Sequence, residues 1–203
     1  MDKLDTGDII LYHCKKGIFG RIIQYFTMSG YSHIGVVLKN PQFTEKPLLG
    51  MFLWESSDEK FPDSEDGKCK IGVEIVELEK VINDVYKNDT HDLYYRKLFV
   101  EEPISQEKLK EIHNIVHNKP YDFIPTDWLE ALIGRDNIPQ KTDRFWCSAL
   151  VGFIYTKLGL LPENTDWSIM RPSDFSEKSN IKLLNGSYLD KEIYLSDIIS
   201  ENL

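Results

Sequence analysis

Cysteine is scarce in this 203-residue chain, and its spacing excludes two classes of small stabilised domain. The three cysteines, Cys14, Cys69 and Cys147, are odd in number and form no C-x-x-C pair. An odd count without paired spacing argues against a disulfide framework and against a zinc site built from thiolates. We therefore expect free thiols, each of which is either a core residue or a reactive group.

Positive charge and long apolar runs are also lacking. The formal net charge is −9, and the basic residues form no stripe. A surface of this sign repels a phosphate backbone, which disfavours nucleic acid as a partner. No uncharged apolar run approaches the roughly 20 residues of a membrane span, and the first residues do not join a basic segment to an apolar one. The sequence predicts a cytoplasmic protein without a transmembrane segment.

The apolar content of 41% is sufficient for one well-buried core. Together with the length, it predicts a single domain over 1–203. Short apolar runs predict strands near 8–12, 34–38, 51–55, 71–78 and 93–99. Helical spacing predicts helices over 17–26, between Ser105 and Pro120, over 128–133 and around Cys147, whereas 56–68 is predicted as an exposed acidic loop. The pattern favours the α+β class, with a mostly antiparallel sheet packed with helices.

The stretch R-F-W-C-S-A-L-V-G-F-I-Y, from Arg144 to Tyr155, places Cys147 at the start of a predicted helix. We expect Thr142 or Asp143 to cap this helix and Gly159 to end it. Cys147 then lies on the flank of the apolar stripe, where it borders a cleft. The positive end of the helix dipole favours a negatively charged sulfur and an oxyanion at the same place. On position alone, a small buried core residue is the alternative.

A nucleophilic cysteine needs an imidazole base, and all five histidines precede Cys147. His33 is the best candidate because it stands at the start of the apolar strand 34–38, where a strand can hold the ring rigidly. Glu55 closes the strand 51–55, which we expect to pair with the His33 strand. Its carboxylate is therefore predicted to orient the imidazole.

A second histidine pattern indicates a metal only weakly. His113 and His117 form H-x-x-x-H on a predicted helix, but Asn114 stands where the zincin pattern needs glutamate. We expect both side chains on a solvated helix surface and predict no metal site.

A set of short motifs follows in a defined order between Gly7 and Phe175. They are G-D-I-I-L, S-H-I-G-V-V-L, W-E-S, P-Y-D-F, F-W-C-S-A-L-V and R-P-S-D-F. This set resembles the circularly permuted NlpC-type papain-like cysteine hydrolases, in their YiiX-like branch. In that branch the histidine and the acidic strand precede the cysteine helix, as they do here. The resemblance implies a circularly permuted papain-like (NlpC-type) fold.

The resemblance also implies roles for individual residues. Cys147 is implied as the nucleophile, His33 as the base and Glu55 as the residue that orients it. Tyr121, in P-Y-D-F, is implied to lend its hydroxyl to the oxyanion site, with a core aromatic residue as the alternative. Ala149 departs from the pattern, because relatives often carry glutamate there. Thiol chemistry of this kind requires no metal and no other cofactor.

The expected reaction is hydrolysis of an amide or ester through a thioacyl-enzyme. A lipid-like N-acyl amino acid is the favoured substrate, since a groove for an acyl chain needs an apolar lining and an acidic surface favours a cationic leaving amine. Aromatic residues beside the motifs are Tyr31, Trp54, Phe123, Trp128 and Trp146.

Two other functions stay open, namely a cell-wall peptide endopeptidase and a non-catalytic ligand-binding module on the same scaffold. A lipid acyltransferase of the lecithin-retinol type ranks lower, because its asparagine-cysteine-glutamate-histidine signature is absent around Cys147. Contact with a membrane surface is compatible with each function.

Overall fold

A six-stranded antiparallel sheet forms the centre of the computed structural model, which describes residues 3–16, 30–57, 60–122 and 142–200. Its strands are β1 (Ile9–Cys14), β2 (His33–Lys39), β3 (Met51–Ser57), β4 (Gly72–Glu77), β5 (His91–Arg96) and β8 (Ile193–Tyr194). They lie in the order β4-β3-β2-β1-β5-β8, and each neighbouring pair is antiparallel. The predicted pairing of the His33 strand with the Glu55 strand is confirmed.

Helices and a small second sheet complete the described part of the chain. The helices are α1 (Leu78–Asn88), α2 (Gln106–Val116), α3 (Cys147–Lys157) and α4 (Leu195–Ser200), and β6 (Leu98–Phe99) pairs with β7 (Tyr188–Leu189). Short 3-10 helices cover Trp167–Ile169 and Pro172–Phe175. The predicted helices over 17–26 and 128–133 lie outside the described residues. The fold is therefore mixed α+β with a mostly antiparallel sheet, and no described helix has the length and apolar character to cross a membrane.

Helix α1 covers one face of the sheet, and the sequence analysis did not predict it. Leu78, Val81, Ile82 and Val85 are spaced as one helical face and are all buried. They share a core cluster with Ile10, Val37 and Leu53 of the sheet. This face of the strands is consequently closed to solvent.

Helix α3 belongs to the core on the other side of the sheet. Each residue from Cys147 to Thr156 is buried, so the expected one-sided apolar stripe is wrong. Gly152 lets the neighbouring 3-10 segment approach, because an added Cβ would lie 2.7 Å from Met170 Sδ and 3.0 Å from Trp167 Cβ. The predicted cap is also wrong: Trp146 is the N-cap, and no side chain bonds to the cap position.

An extended segment, Lys119–Asp122, covers the outer edge of β4 and leads to α3. Its hydrogen bonds run from Val73 N to Lys119 O (2.8 Å), from Tyr121 N to Ile71 O (3.3 Å), from Phe145 N to Pro120 O (3.1 Å) and from Asp122 N to Phe145 O (3.2 Å). Gly72 has φ +144°, and an added Cβ would lie 2.2 Å from Lys119 O, so the close approach requires glycine. The segment thus connects β4 to the residues directly before Cys147.

Two of the sequence motifs have structural roles. Asp8 of the G-D motif is fully buried and accepts hydrogen bonds from Leu98 N (2.9 Å), Asp5 N (2.9 Å) and Lys97 Nζ (3.1 Å). Phe175 of R-P-S-D-F is held through its carbonyl by the buried guanidinium of Arg96 at 2.9 Å. Both motifs join distant parts of the chain by satisfying buried polar groups.

The acidic loop is less exposed than its composition indicated. Ser56 and Ser57 belong to β3, and the Asp63 side chain is only 1% exposed. His113 is also buried, which corrects the expectation of a solvated helix surface. Ser105, by contrast, caps α2 as predicted, because its Oγ accepts a hydrogen bond from Lys108 N.

Candidate active site

The pairing of β2 with β3 brings His33 and Glu55 together. Val36 pairs with Trp54, so continuing the antiparallel register by one residue sets Glu55 opposite Gly35. His33 lies two residues before Gly35 and shares its face of the strand, which makes it the diagonal neighbour of Glu55. Gly35 has no side chain, and long side chains reach each other across such a diagonal.

A short hydrogen bond joins the two side chains. His33 Nε2 lies 2.6 Å from Glu55 Oε2, and Glu55 is only 3% exposed. A hydrogen bond to an ionised group is stronger than a neutral one, and this one fixes the orientation of the ring. Because the carboxylate occupies Nε2, Nδ1 is the nitrogen left for another partner.

The fold places Cys147 beside the His33 ring, as a candidate partner for Nδ1. Cys147 is the first residue of α3, is 5% exposed, and lies close enough to His33 for its charge to raise the pKa of the ring. The residue before the N-cap is held from the other face of β3, since Ser56 Oγ donates to Phe145 O at 2.7 Å. Adjacent residues of one strand, Glu55 and Ser56, therefore position the carboxylate and the start of the cysteine helix.

The electrostatics of His33 follow from these neighbours. Burial lowers the pKa of His33, but the charges of Cys147 and Glu55, together with hydrogen bonding from the ring to these side chains, outweigh burial and raise the pKa well above its usual value. The ring therefore keeps its proton at neutral pH, between a sulfur and a carboxylate. An imidazolium in this place can stabilise a negatively charged sulfur and later donate a proton.

Tyr12 and His91 complete the surroundings of the imidazole, and the sequence analysis did not single out either residue. The Tyr12 ring packs edge-on against His33, with centroids 4.8 Å apart, and against His91 at 5.7 Å. Burial first, and the charge of His33 second, lower the pKa of His91 to about 4, so this second ring is neutral. The Tyr12 hydroxyl is buried without a hydrogen-bond partner among the described residues.

Glu74 is an unexpected acid directly beside Glu55. The two glutamates are paired across β3 and β4, and Glu74 is only 2% exposed. Among the described residues, neither of its carboxyl oxygens has a hydrogen-bond partner. Burial, then the charges of Glu55 and Asp63, raise the pKa of Glu74 to about 9. Glu74 therefore holds a proton at neutral pH, which avoids two adjacent buried negative charges.

Replacement of Glu74 by glutamine should stabilise the protein relative to wild type, and this difference should grow as the pH rises. In the unfolded chain Glu74 ionises with the ordinary glutamate pKa of 4.5, whereas in the native state its pKa is about 9. The native protein thus binds more protons over this interval, and the free energy of unfolding falls as pH rises. The amide cannot ionise, so we expect the Glu74→Gln variant to gain up to about 3 kcal/mol relative to wild type at pH 7.

Denaturant unfolding of both proteins at about pH 4.5, 7 and 8.5 measures this difference. The two should be closest at the lowest pH, where the native carboxyl is protonated and the unfolded one is half protonated. A stability difference that does not change with pH would contradict the buried, protonated carboxyl.

For the remaining predicted site residues, the structure gives their position in the fold. Tyr121 forms a parallel bridge with Phe145, two residues before Cys147, and is half-buried, so its role at the oxyanion stays a prediction. Trp54 is fully buried, packed against Phe43 and His113, and does not line an open groove. Tyr31 and Trp146 are buried, with exposed fractions of 9% and 7%, and Phe123 and Trp128 lie outside the described residues.

Comparisons with known proteins find relatives both by sequence and by structure. No family model matches the chain. The uncharacterized protein R372 of Acanthamoeba polyphaga mimivirus is 28% identical over 201 residues, which covers 87% of this chain and 77% of that protein. The crystal structure of the metalloprotein YiiX from Escherichia coli O157:H7 matches with a TM-score of 0.46 and 24% identity, covering 77% of this chain and 67% of that one. Neither similarity shows a papain-like permutation or a reaction.

Proposed function

We propose that this chain is a cysteine hydrolase of the circularly permuted papain-like type, which cleaves an amide or ester through a thioacyl-enzyme. The observation that supports this most directly is the His33 ring, which is bonded to the Glu55 carboxylate at 2.6 Å and lies near enough to Cys147 for the sulfur to raise its pKa. A base that is oriented by an acid and lies beside a thiol is the arrangement that thiol hydrolysis needs. The order histidine, glutamate, cysteine along the chain agrees with the permuted type.

The chemistry follows from the two sides of the imidazole. The Cys147 sulfur attacks the substrate carbonyl carbon and forms a C–S bond, while His33 gives its proton to the leaving amine or alcohol as the C–N or C–O bond breaks. Water then attacks the thioester and gives a proton to His33, and when the C–S bond breaks the sulfur leaves as the anion, which restores the starting pair of charged sulfur and protonated ring. Glu55 holds the ring in one orientation throughout.

The oxyanion of each tetrahedral intermediate needs hydrogen-bond donors. The first-turn N–H groups of α3 have no capping side chain, which leaves backbone donors at the helix start, beside Cys147. We assign a second donor to the hydroxyl of Tyr121, whose backbone is paired with Phe145. These donors act where the negative charge develops.

The substrate we propose is an N-acyl amino acid with an apolar acyl chain and a small cationic leaving group such as lysine. The formal net charge of −9 favours a cationic group over an anionic one during approach. An apolar chain is favoured because aromatic side chains, including Tyr12 and Tyr31, surround the His33 end of the sheet.

Turnover of matched substrates tests the proposal. We expect N-dodecanoyl-lysine to be cleaved, with kcat/KM falling roughly 100-fold when the acyl chain is shortened by four methylenes, since each buried methylene contributes about 0.8 kcal/mol. The norleucine analogue, which lacks only the charge, should be cleaved about 10-fold less well. Cleavage solely of a γ-linked peptide with a D-amino acid would instead support a cell-wall endopeptidase, and cleavage of none would support the ligand-binding module.

A further inference from the structure

Three side chains with metal-binding atoms converge away from the cysteine. His113 lies in the last turn of α2, and His117 is the C-cap of the same helix, so the two are four residues apart on one side of it. Glu65 reaches them from the connection between β3 and β4. Its Oε2 lies 2.8 Å from His113 Nε2 and 3.2 Å from His117 Nδ1.

Two of the three spacings between these atoms, those from Glu65 to each histidine, are close to those of a zinc site. The three ligand atoms all lie within 4.8 Å of one another. With zinc bonds of about 2.0–2.1 Å, the donors of a tetrahedral site lie about 3.3 Å apart. The two distances to Glu65 are slightly shorter than this edge, so a small outward shift of the carboxylate makes room for an ion. Two imidazoles and one carboxylate are also a donor set that zinc accepts.

Neighbouring groups hold both rings in place. His113 is buried against Phe43 and Trp54, with ring centroids 5.3 and 6.2 Å away. His117 Nε2 lies 2.8 Å from the Asn118 side-chain amide, which leaves Nδ1 turned toward Glu65. When an ion replaces the hydrogen bond at Nδ1, the proton moves to Nε2, and the Asn118 oxygen, which accepts from Lys70 Nζ at 2.5 Å, has to shift to accept it as well. Such outer contacts orient the rings in known metal sites.

We infer that Glu65, His113 and His117 form a binding site for a divalent transition metal, with zinc as the best-fitting ion. The His117 side chain is 34% exposed, which gives the ion a route from solvent. Asn114 occupies the place of the zincin glutamate, so the site has no general base on this helix and its role is structural. This site does not depend on the proposed hydrolase chemistry.

The position of the site indicates what the ion would stabilise. Glu65 belongs to the connection that enters β4, and His117 lies two residues before Lys119, whose carbonyl pairs with Val73. An ion therefore joins the loop before β4 to the segment that covers the edge of β4. That segment continues to Tyr121 and its pairing with Phe145.

Metal titration of chelator-treated protein tests the site. The Cys69→Ser/Cys147→Ser variant is the appropriate starting protein, because it removes the exposed thiol and the candidate nucleophile, which would compete for the same ions. We expect one equivalent of zinc or cobalt per chain, and a cobalt spectrum without a thiolate charge-transfer band. At a free zinc concentration of about 100 times the dissociation constant, Tm should rise by about 5–10 °C.

Two further substitutions in that background identify the ligands. Glu65→Gln and His117→Gln should each weaken zinc binding by at least about 10-fold, while His13→Gln, at an exposed histidine outside the cluster, should leave it unchanged. His117 is part-exposed, so its variant should fold, and circular dichroism checks this. Absence of binding at millimolar cobalt, or equal affinity in all variants, would overturn the inference.

Discussion

Replacement of Cys147 by serine is expected to lower turnover of a cleavable substrate by at least about 10⁴-fold. A hydroxyl takes the place of the thiol with almost the same shape, but it is a much weaker nucleophile beside an imidazole that already carries a proton. The side chain is 5% exposed and only one atom changes, so the free energy of unfolding should change little. Steady-state kinetics and denaturant unfolding of the same preparation measure both quantities.

The cysteines themselves supply a control and an independent readout. Cys69 is exposed, whereas Cys14 and Cys147 are buried, so accessibility alone predicts that iodoacetamide reacts first at Cys69. We expect peptide mapping to find Cys147 modified first near neutral pH, and Cys69→Ser to keep full turnover. Retained activity in Cys147→Ser, or labelling confined to Cys69, would argue for a core cysteine.

Replacement of Arg96 by methionine is expected to destabilise the protein by about 3–5 kcal/mol. The buried guanidinium donates to the carbonyl oxygens of Asp190 (2.6 Å), Phe175 (2.9 Å) and Leu189 (2.8 Å). Methionine keeps most of the apolar stem but leaves these carbonyls without their donor, and each unsatisfied buried group costs about 1–3 kcal/mol. Urea unfolding measures the loss, which should also lower Tm by about 6–20 °C.

An exposed cation gives the matched control for this change. Lys80 forms a surface ion pair with Glu77 at 2.7 Å, and its removal in Lys80→Met should change stability by no more than about 0.5 kcal/mol. If Arg96→Met were equally mild, the C-terminal part of the chain would have to be held mainly by apolar packing.

The strand pairing could be predicted from the sequence because both strands are continuous apolar runs with polar ends. Ile34–Leu38 and Met51–Glu55 lie close in the chain, and sequential strands usually pair. Their ends carry His33 and Glu55, so the predicted contact between base and acid followed from adjacency alone. The side-chain distance did not, since it depends on the register and on Gly35.

The importance of Glu74 could not be predicted without helix α1. The alternation around Val73, Glu74 and Ile75 is typical of a strand with one solvated face, which assigns Glu74 to water. Helix α1 covers that face. The spacing of Leu78, Val81, Ile82 and Val85 indicates this helix, but the strand predicted over 71–78 extended into its first residue. One missed helix therefore concealed a buried acid next to the candidate site.

The cap of α3 was mispredicted for a different reason. Thr142 and Asp143 are good capping residues, but Phe145 pairs in extended conformation with Pro120 and Asp122, which delays the helix to Cys147. This pairing partner lies more than twenty residues away in the chain, so local propensity contains no sign of it.

The segment that covers β4 also affects inactivation and aggregation of the protein during storage in solution. An open strand edge is a template on which other molecules can add, and here Lys119–Asp122 occupies the backbone groups of Ile71 and Val73. The same residues hold Phe145, directly before the cysteine helix. Opening this segment would expose unpaired backbone groups at the edge of β4, and it would displace Cys147 at the same time. On storage or gentle heating, loss of activity and the onset of aggregation should therefore follow the same time course.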